Sequence, residues 1–183
     1  MKIIFLGNQG SGKSTQARVV AQKLGLPCIE MGQLLRDKAK DDDREGIEVN
    51  QALEVGELVP DVLAIKVFKE RVAKSDCKNG YVLDGYPRNY AQLEALDLDI
   101  DKVFFIQVSD QEGLKRSISR ARHDDTLTVL TKRLEVYHKN TEKLLHYFRQ
   151  KGILDEVDGE RPIEVIAKDI NQRLENVIKQ KSV

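Results

Sequence analysis

The sequence predicts an α/β fold: a five-stranded parallel sheet with helices on both faces. Three observations carry this. Short runs that are apolar throughout, such as residues 2–6 (KIIFL) and 102–108 (KVFFIQV), read as strands buried on both sides. Segments with helical apolar spacing alternate with them. A glycine-rich turn follows the first strand directly, as a strand-to-helix loop would. At 183 residues the chain has the length of one domain. Such a chain buries roughly 70% of its unfolded surface, enough to fold without a disulfide or metal staple.

The elements follow in order. Residues 2–6 form the first strand. A helix starts near Gly12 and runs to Leu24, with Gly25 as its stop. Residues 27–30 are a short second strand. Residues 31–58 are helical and polar, and the charge run Asp37 to Glu45 reads as a solvated helix face or turn. Pro60 suits the first turn of a helix reaching about Ala73. Residues 80–84 (GYVLD) form a third strand ending in an acid, and 102–108 the fourth. Residues 111–120 are helical. Leu127, Leu130, Leu134, Tyr137, Leu144, Leu145 and Phe148 form one apolar stripe, predicting a long helix stopped by Gly152. Residues 153–157 make the fifth strand and 162–178 the last helix.

Composition narrows the function. Thirty Lys and Arg balance thirty Asp and Glu, so no net positive field draws nucleic acid. No apolar run reaches the 18–20 or so residues of a membrane span. Cys28 and Cys77 have no CxxC or Cys/His neighbours and read as free thiols in a reducing compartment. The expectation is a soluble cytoplasmic protein without nucleic-acid or membrane partners. The histidines His123, His138 and His146 lack metal-ligand spacing and read as surface residues.

The chemistry starts at Gly7-Asn8-Gln9-Gly10-Ser11-Gly12-Lys13-Ser14-Thr15, which matches G-x-x-x-x-G-K-[ST]. Glycines let the backbone turn its N–H groups toward phosphate oxygens, and the helix behind adds partial positive charge. Lys13 reaches the β- and γ-phosphates, and Ser14 offers a hydroxyl to Mg²⁺. The fold is therefore that of a P-loop NTPase. The motif specifies a nucleoside triphosphate and Mg²⁺ but not the acceptor. A GTPase or motor is disfavoured, since the guanine-reading N-K-x-D segment is missing.

The acceptor side rests on Asp84-Gly85-Tyr86-Pro87-Arg88 with Gln92 beyond it. Gly32 with Leu34-Leu35-Arg36 adds to it, as do Gly56 to Asp61, Arg120 to Asp125, Arg133, Tyr137 and Val157-Asp158-Gly159. Through these segments the chain resembles the adenylate kinase family over nearly its whole length. The resemblance implies a core of 1–30, 60–119 and 127–183. It also implies a helical NMP-binding insertion at 31–59 and a very short lid at 120–126. It implies ATP contacts at Gly10, Ser11, Gly12, Lys13, Ser14, Thr15, Arg116, Arg120 and Arg161. The AMP contacts it implies are Met31, Gly32, Arg36, Val59, Gly85, Arg88, Gln92, Arg122 and Arg133. Lys13, Arg88, Arg120, Arg122 and Arg133 carry the transferring group, Asp124 and Asp125 hold the lid arginines, and Ser14 with Asp84 serves Mg²⁺. Guanidinium groups suit this work because they stay charged and grip phosphate oxygens in pairs.

The chain departs from the family pattern at several points. Asn8 and Gln9 stand where prolines are usual, and Ser14 where a glycine is. Met31 replaces a threonine beside the acceptor base, and Gln33 an aspartate. One residue, Ala121, separates Arg120 from Arg122, where long-lid relatives insert a segment that often binds zinc; no zinc is expected here. Lys143 replaces a frequent proline, predicting a straighter long helix. The reading is an adenylate kinase: Mg·ATP + AMP ⇌ 2 ADP, acting as a monomer. The alternatives are a UMP/CMP or broad-acceptor kinase, motivated by Met31, and a weakly catalytic nucleotide-binding paralogue.

Overall fold

The computed structural model describes residues 1–96, 99–122 and 124–181. Its five strands are β1 (Lys2–Leu6), β2 (Cys28–Glu30), β3 (Tyr81–Asp84), β4 (Lys102–Gln107) and β5 (Leu154–Asp158). They form one sheet of order β2-β3-β1-β4-β5. Every pairing in it is parallel. The predicted fold class is the observed one.

Strand alternation explains why these runs are apolar throughout. Ile4 and Leu6 of β1 and Val103 and Phe105 of β4 point into one core. Ile3, Phe5, Phe104 and Ile106 point into the other. The first core is covered by α2 (Met31–Lys38), α3 (Arg44–Val55), α4 (Asp61–Val72), the short α5 (Tyr90–Glu94) and α8 (Leu144–Gln150). The second is covered by α1 (Lys13–Leu24) and α9 (Ile163–Lys181). With both faces sealed, no polar alternation survives in the central strands. Phe5 and Phe104 stack across the β1–β4 pair at 5.3 Å.

In this order the chain leaves β1 toward β2 and β3 on one side and later fills β4 and β5 on the other. The carboxyl end of β1 is thus a switch point, where open parallel sheets bind ligands. Gly7 and the glycine-rich loop begin there, and β3 ends beside it in Asp84.

Two stretches differ from the sequence reading. Residues 31–58 are not one helical run. A turn at 39–43 divides α2 from α3, and Asp43 caps α3 by accepting from the Gly46 N–H at 2.6 Å. The acidic run is therefore a cap and turn more than a helix face.

The long helix expected from 127 to Gly152 is interrupted. It consists of α7 (Leu127–Val136), a π-helical turn at Tyr137–Thr141, and α8. Lys143, which replaces a frequent proline, lies in the short turn that follows the π-helical segment. The cause of the interruption lies before that residue. The Glu142 N–H bonds to the Tyr137 carbonyl five residues back. The Asn140 amide donates to the Val136 carbonyl, and the Thr141 hydroxyl to the Arg88 carbonyl at 2.9 Å. Side chains that bond backbone carbonyls compete with the regular helical ladder. π-Turns of this kind often mark functional sites.

The π-turn also carries His138. Its ring nitrogens lie 3.0 Å from Glu142 Oε2 and 3.0 Å from Asp110 Oδ2, the latter on α6 (Asp110–Arg120). Tyr137 packs edge-on beside it. The two carboxylates raise the His138 pKa above its ordinary 6.5. Its protonated form therefore favours the fold. The added stability is complete below about pH 6.5 and fades as pH rises through the raised folded value. His138→Ala should lower the melting temperature by about 1–3 °C at pH 6, the pair being solvent-screened. The gap should close by pH 9; a gap that persists there would remove the ion-pair account. His123 lies outside the described residues.

Candidate active site

One cleft opens at the carboxyl ends of β1, β2 and β3. Its lining includes Lys13, Ser14, Gly32, Arg36, Asp84, Gly85, Arg88, Arg120, Arg122 and Arg133. Residues far apart in the chain thus share one wall. Of the three acidic groups on it, Glu30 pairs with Arg18 at 2.6 Å and Glu57 with Lys132 at 2.9 Å. The cleft keeps a strong positive character.

The loop after β1 turns on Gly7 (φ 149°), Gly10 (φ 76°) and Gly12 (φ 89°). A Cβ on Gly10 would fall 2.1 Å from the Gly113 carbonyl oxygen, so the loop packs directly against α6. Gly12 caps α1. Ser11 is buried and Thr15 exposed. Lys13 Nζ donates to the Asn8 carbonyl at 2.9 Å. Burial, first, then the nearby Arg88, Arg120 and Arg122, lower its pKa to about 8, against the pull of Asp84. A lysine held this way gains most from an arriving anion.

Ser14 Oγ donates to Asp84 Oδ2 at 2.5 Å. Asp84 Oδ1 is buried and meets no hydrogen-bond partner. A hydroxyl and a carboxylate with an unused oxygen are the hard donors Mg²⁺ prefers, so the pair fits that ion. Among the described residues, no group of three or more His, Cys, Asp or Glu could hold a metal.

The arginines are held from behind. Arg120 places Nε and Nη2 on Asp125 Oδ2 at 3.0 and 2.8 Å. Arg133 reaches Asp125 Oδ1 at 3.2 Å and Asp124 Oδ2 at 2.6 Å, and its Nη2 also donates to the Leu53 carbonyl on α3. The Asp125 side chain is fully buried. Arg122 follows Ala121, a left-handed alanine (φ 52°) that ends α6. Burial, with Arg120 and Arg36 nearby, lowers the Arg122 pKa. Arg88 Nε donates to the Gly85 carbonyl at 2.9 Å. Burial lowers its pKa too, with Arg133 and Arg36 adding to the effect. Arg36 and Arg88 both approach Gly32, within 3.5 and 3.9 Å of a built Cβ.

Met31, Val59 and Gln92 line a smaller adjoining cavity that shares Gly85 and Arg88 with the main cleft. Arg116 and Arg161 lie outside both. Arg116 grips Glu112 and the Gly159 carbonyl, and Arg161 pairs with Asp169 on α9.

Residues 5–153 match the family model described as Adenylate kinase. The chain belongs to the adenylate kinase family. An adenylate kinase of Bifidobacterium longum (strain NCC 2705) is 41% identical, the match covering 96% of this chain and 100% of the relative. One from a Mycobacterium species (strain MCS) is 40% identical over 86% and 94% of the two chains. One from Archaeoglobus fulgidus is 36% identical over 97% and 99%. That last alignment spans 215 positions, more than the 183 residues here, whereas the Bifidobacterium alignment needs 186. The family thus holds members of this length and longer ones. The chain is a phosphotransferase of the nucleoside monophosphate kinase class, and no helix among its described residues is long and apolar enough to cross a membrane.

Four polar residues around the site were given no site role by the sequence. Gln9 donates to the Leu130 carbonyl at 2.8 Å, tying the loop to α7. Tyr137 and Thr141 line the cleft from the π-turn. Asp61 accepts from both Asn89 and Gln92. Their partners lie up to 121 positions away, and no local pattern signals that.

Proposed function

We propose that the chain catalyses the reversible transfer of the ATP γ-phosphoryl group to AMP, giving two ADP. One observation carries this: a single cleft gathers the loop lysine and five arginines, with a cavity holding Gln92 at its edge. An AMP phosphate oxygen attacks the γ-phosphorus, and the bond to the β–γ bridging oxygen breaks. No covalent enzyme intermediate is needed. Positioning and charge stabilisation supply the acceleration.

In this reading Gly10, Ser11, Gly12, Lys13, Ser14 and Thr15 cradle the ATP phosphates, with Arg116 and Arg161 on the adenosine side. Arg36 and Arg88 hold the AMP phosphate. Lys13, Arg88, Arg120, Arg122 and Arg133 meet the charge on the transferring group. Met31, Gly32, Val59, Gly85 and Gln92 surround the AMP base. Ser14 and Asp84 would hold Mg²⁺, partly through water, and the ion would neutralise charge on the β- and γ-phosphates. Residues 31–59 serve as the acceptor-binding insertion and 120–126 as a short lid, whose closure excludes water. The proposed setting is the cytoplasm and the proposed unit a monomer with nucleotide partners alone.

Met31 favours a second reading. It is buried, and its thioether gives the acceptor cavity bulk and only a weak acceptor. A looser pocket would admit UMP or CMP. Steady-state transfer from Mg·ATP to AMP, CMP, UMP, GMP and water separates the two. AMP should lead every other acceptor by at least about tenfold. A lead by CMP or UMP overturns the adenylate assignment. ATP binding with little or no turnover would point instead to the weakly catalytic nucleotide-binding paralogue.

A further inference from the structure

The buried Gln92 amide is wired into a small, part-buried network. Gln92 is 2% exposed. Its Oε1 accepts from the Arg88 backbone N–H at 2.8 Å. Its Nε2 donates to Asp61 Oδ1 at 2.9 Å. The same Asp61 oxygen accepts from Asn89 Nδ2 at 2.8 Å. Asn89 in turn caps α5 by accepting from the Gln92 N–H at 3.0 Å. Asp61 is the first residue of α4, so its carboxylate is delivered by a helix that also packs the core beneath the site.

A glutamine amide has two orientations that exchange nitrogen and oxygen. Here only one is possible. A carboxylate can only accept, and a backbone N–H can only donate. Nε2 must therefore face Asp61 and Oε1 must face Arg88. Each atom keeps one further valence, a donor on Nε2 and an acceptor on Oε1, and their order is fixed. Without Asp61, one of those two anchors is gone.

We infer that Asp61 is a positioning residue that fixes the Gln92 amide, so that the acceptor cavity selects a 6-amino purine over its 6-oxo analogue. This rests on the reading that Gln92 faces the acceptor base. Adenine offers an amino donor beside a ring-nitrogen acceptor, which complements an acceptor and donor held in fixed order. Hypoxanthine and guanine present the reverse, a carbonyl acceptor beside an N–H donor. A free amide could flip to suit either. A locked amide leaves the 6-oxo base with two mismatched contacts, and unpaired buried polar groups are strongly disfavoured. Fixing this amide also offsets the polar contact that Met31 does not supply.

The test compares AMP with inosine monophosphate, which differs at this edge alone, in the unmodified chain and in Asp61→Ala, Asp61→Asn and Gln92→Ala. Asp61→Ala should raise KM for AMP about tenfold and lower the AMP-over-IMP ratio of kcat/KM about tenfold. KM for ATP should stay within about twofold, since the donor side does not touch this network. Asp61→Asn keeps an acceptor oxygen of the same shape and should restore most of the ratio. Because the ratio is taken within one sample, a lower folded fraction cancels from it. If Asp61→Ala leaves the ratio unchanged while Gln92→Ala collapses it, the positioning role is overturned. Equal losses in Asp61→Ala and Asp61→Asn overturn it too, because lost charge would then account for the effect. An unchanged AMP KM in Gln92→Ala would instead remove the base-facing reading beneath it.

Discussion

Lys13→Met is expected to cut phosphoryl transfer about a thousandfold while leaving the fold intact. The methionine fills similar space but removes the one cation supplied by the loop itself. Losing a preorganised charge partner of the transition state costs about 3–4 kcal/mol, which is two to three orders of magnitude in kcat. Stability should not fall with it. The Lys13 pKa is lowered to about 8, chiefly by burial, so the fold disfavours its charge. A group whose charged form is disfavoured by folding subtracts stability at neutral pH. Removing it should leave the melting temperature equal or slightly higher. Paired measurements of kcat and melting temperature check both halves. A rate within tenfold of the unmodified chain would take Lys13 out of the chemistry, and a collapsed melting temperature would make it a structural residue.

The same residue shows what was legible in the sequence. Lys13 sits in a contiguous motif, and its geometry follows from a strand, a glycine turn and a helix placed in series. The strands were legible for a similar reason. A run such as Ile3-Ile4-Phe5-Leu6 must be buried on both faces, and the two cores on either side of β1 are the consequence. Ser14 and Asp84 were readable as a pair because each ends or follows a recognisable strand. The interruption at Tyr137–Thr141 was not readable. An apolar stripe fixes which face of a helix is buried, but not whether its ladder slips by one residue. That slip depends on Thr141 reaching the Arg88 carbonyl, 53 positions away. Asp61 is similar: Pro60 before it marks a helix start, while its two donors come from Asn89 and Gln92. Local pattern reveals which groups must be charged or buried. It does not reveal which distant polar atoms hold them.

Arg88 combines both kinds of information, and its substitution should be nearly as damaging. Arg88→Ala is expected to lower kcat/KM for AMP about a thousandfold, with KM for ATP changed far less. The guanidinium is anchored through Nε on the Gly85 carbonyl, which leaves its far edge for a ligand near Gly32. Burial comes first, but Arg133 and Arg36 also stand close enough to push its pKa down, so three like charges converge there, with Asp124 and Asp125 holding Arg133 from behind. Gathering them is unfavourable by itself and becomes favourable when a phosphate dianion binds. The alanine variant should thus melt no lower than the unmodified chain, but lose the rise in melting temperature that AMP produces. Arg88→Lys tests the geometry apart from the charge. It keeps the cation but not the planar fork, so it should recover only about a tenth or less of the lost activity. The split between constants then decides the role. A rise in KM for AMP with kcat preserved means Arg88 only holds the acceptor. An equal fall in kcat and kcat/KM means its contact tightens as the phosphoryl group moves. Arg88 is expected to hold the acceptor phosphate and shares the cleft lining with Lys13 and the lid arginines, so kcat should fall and KM for AMP should rise together.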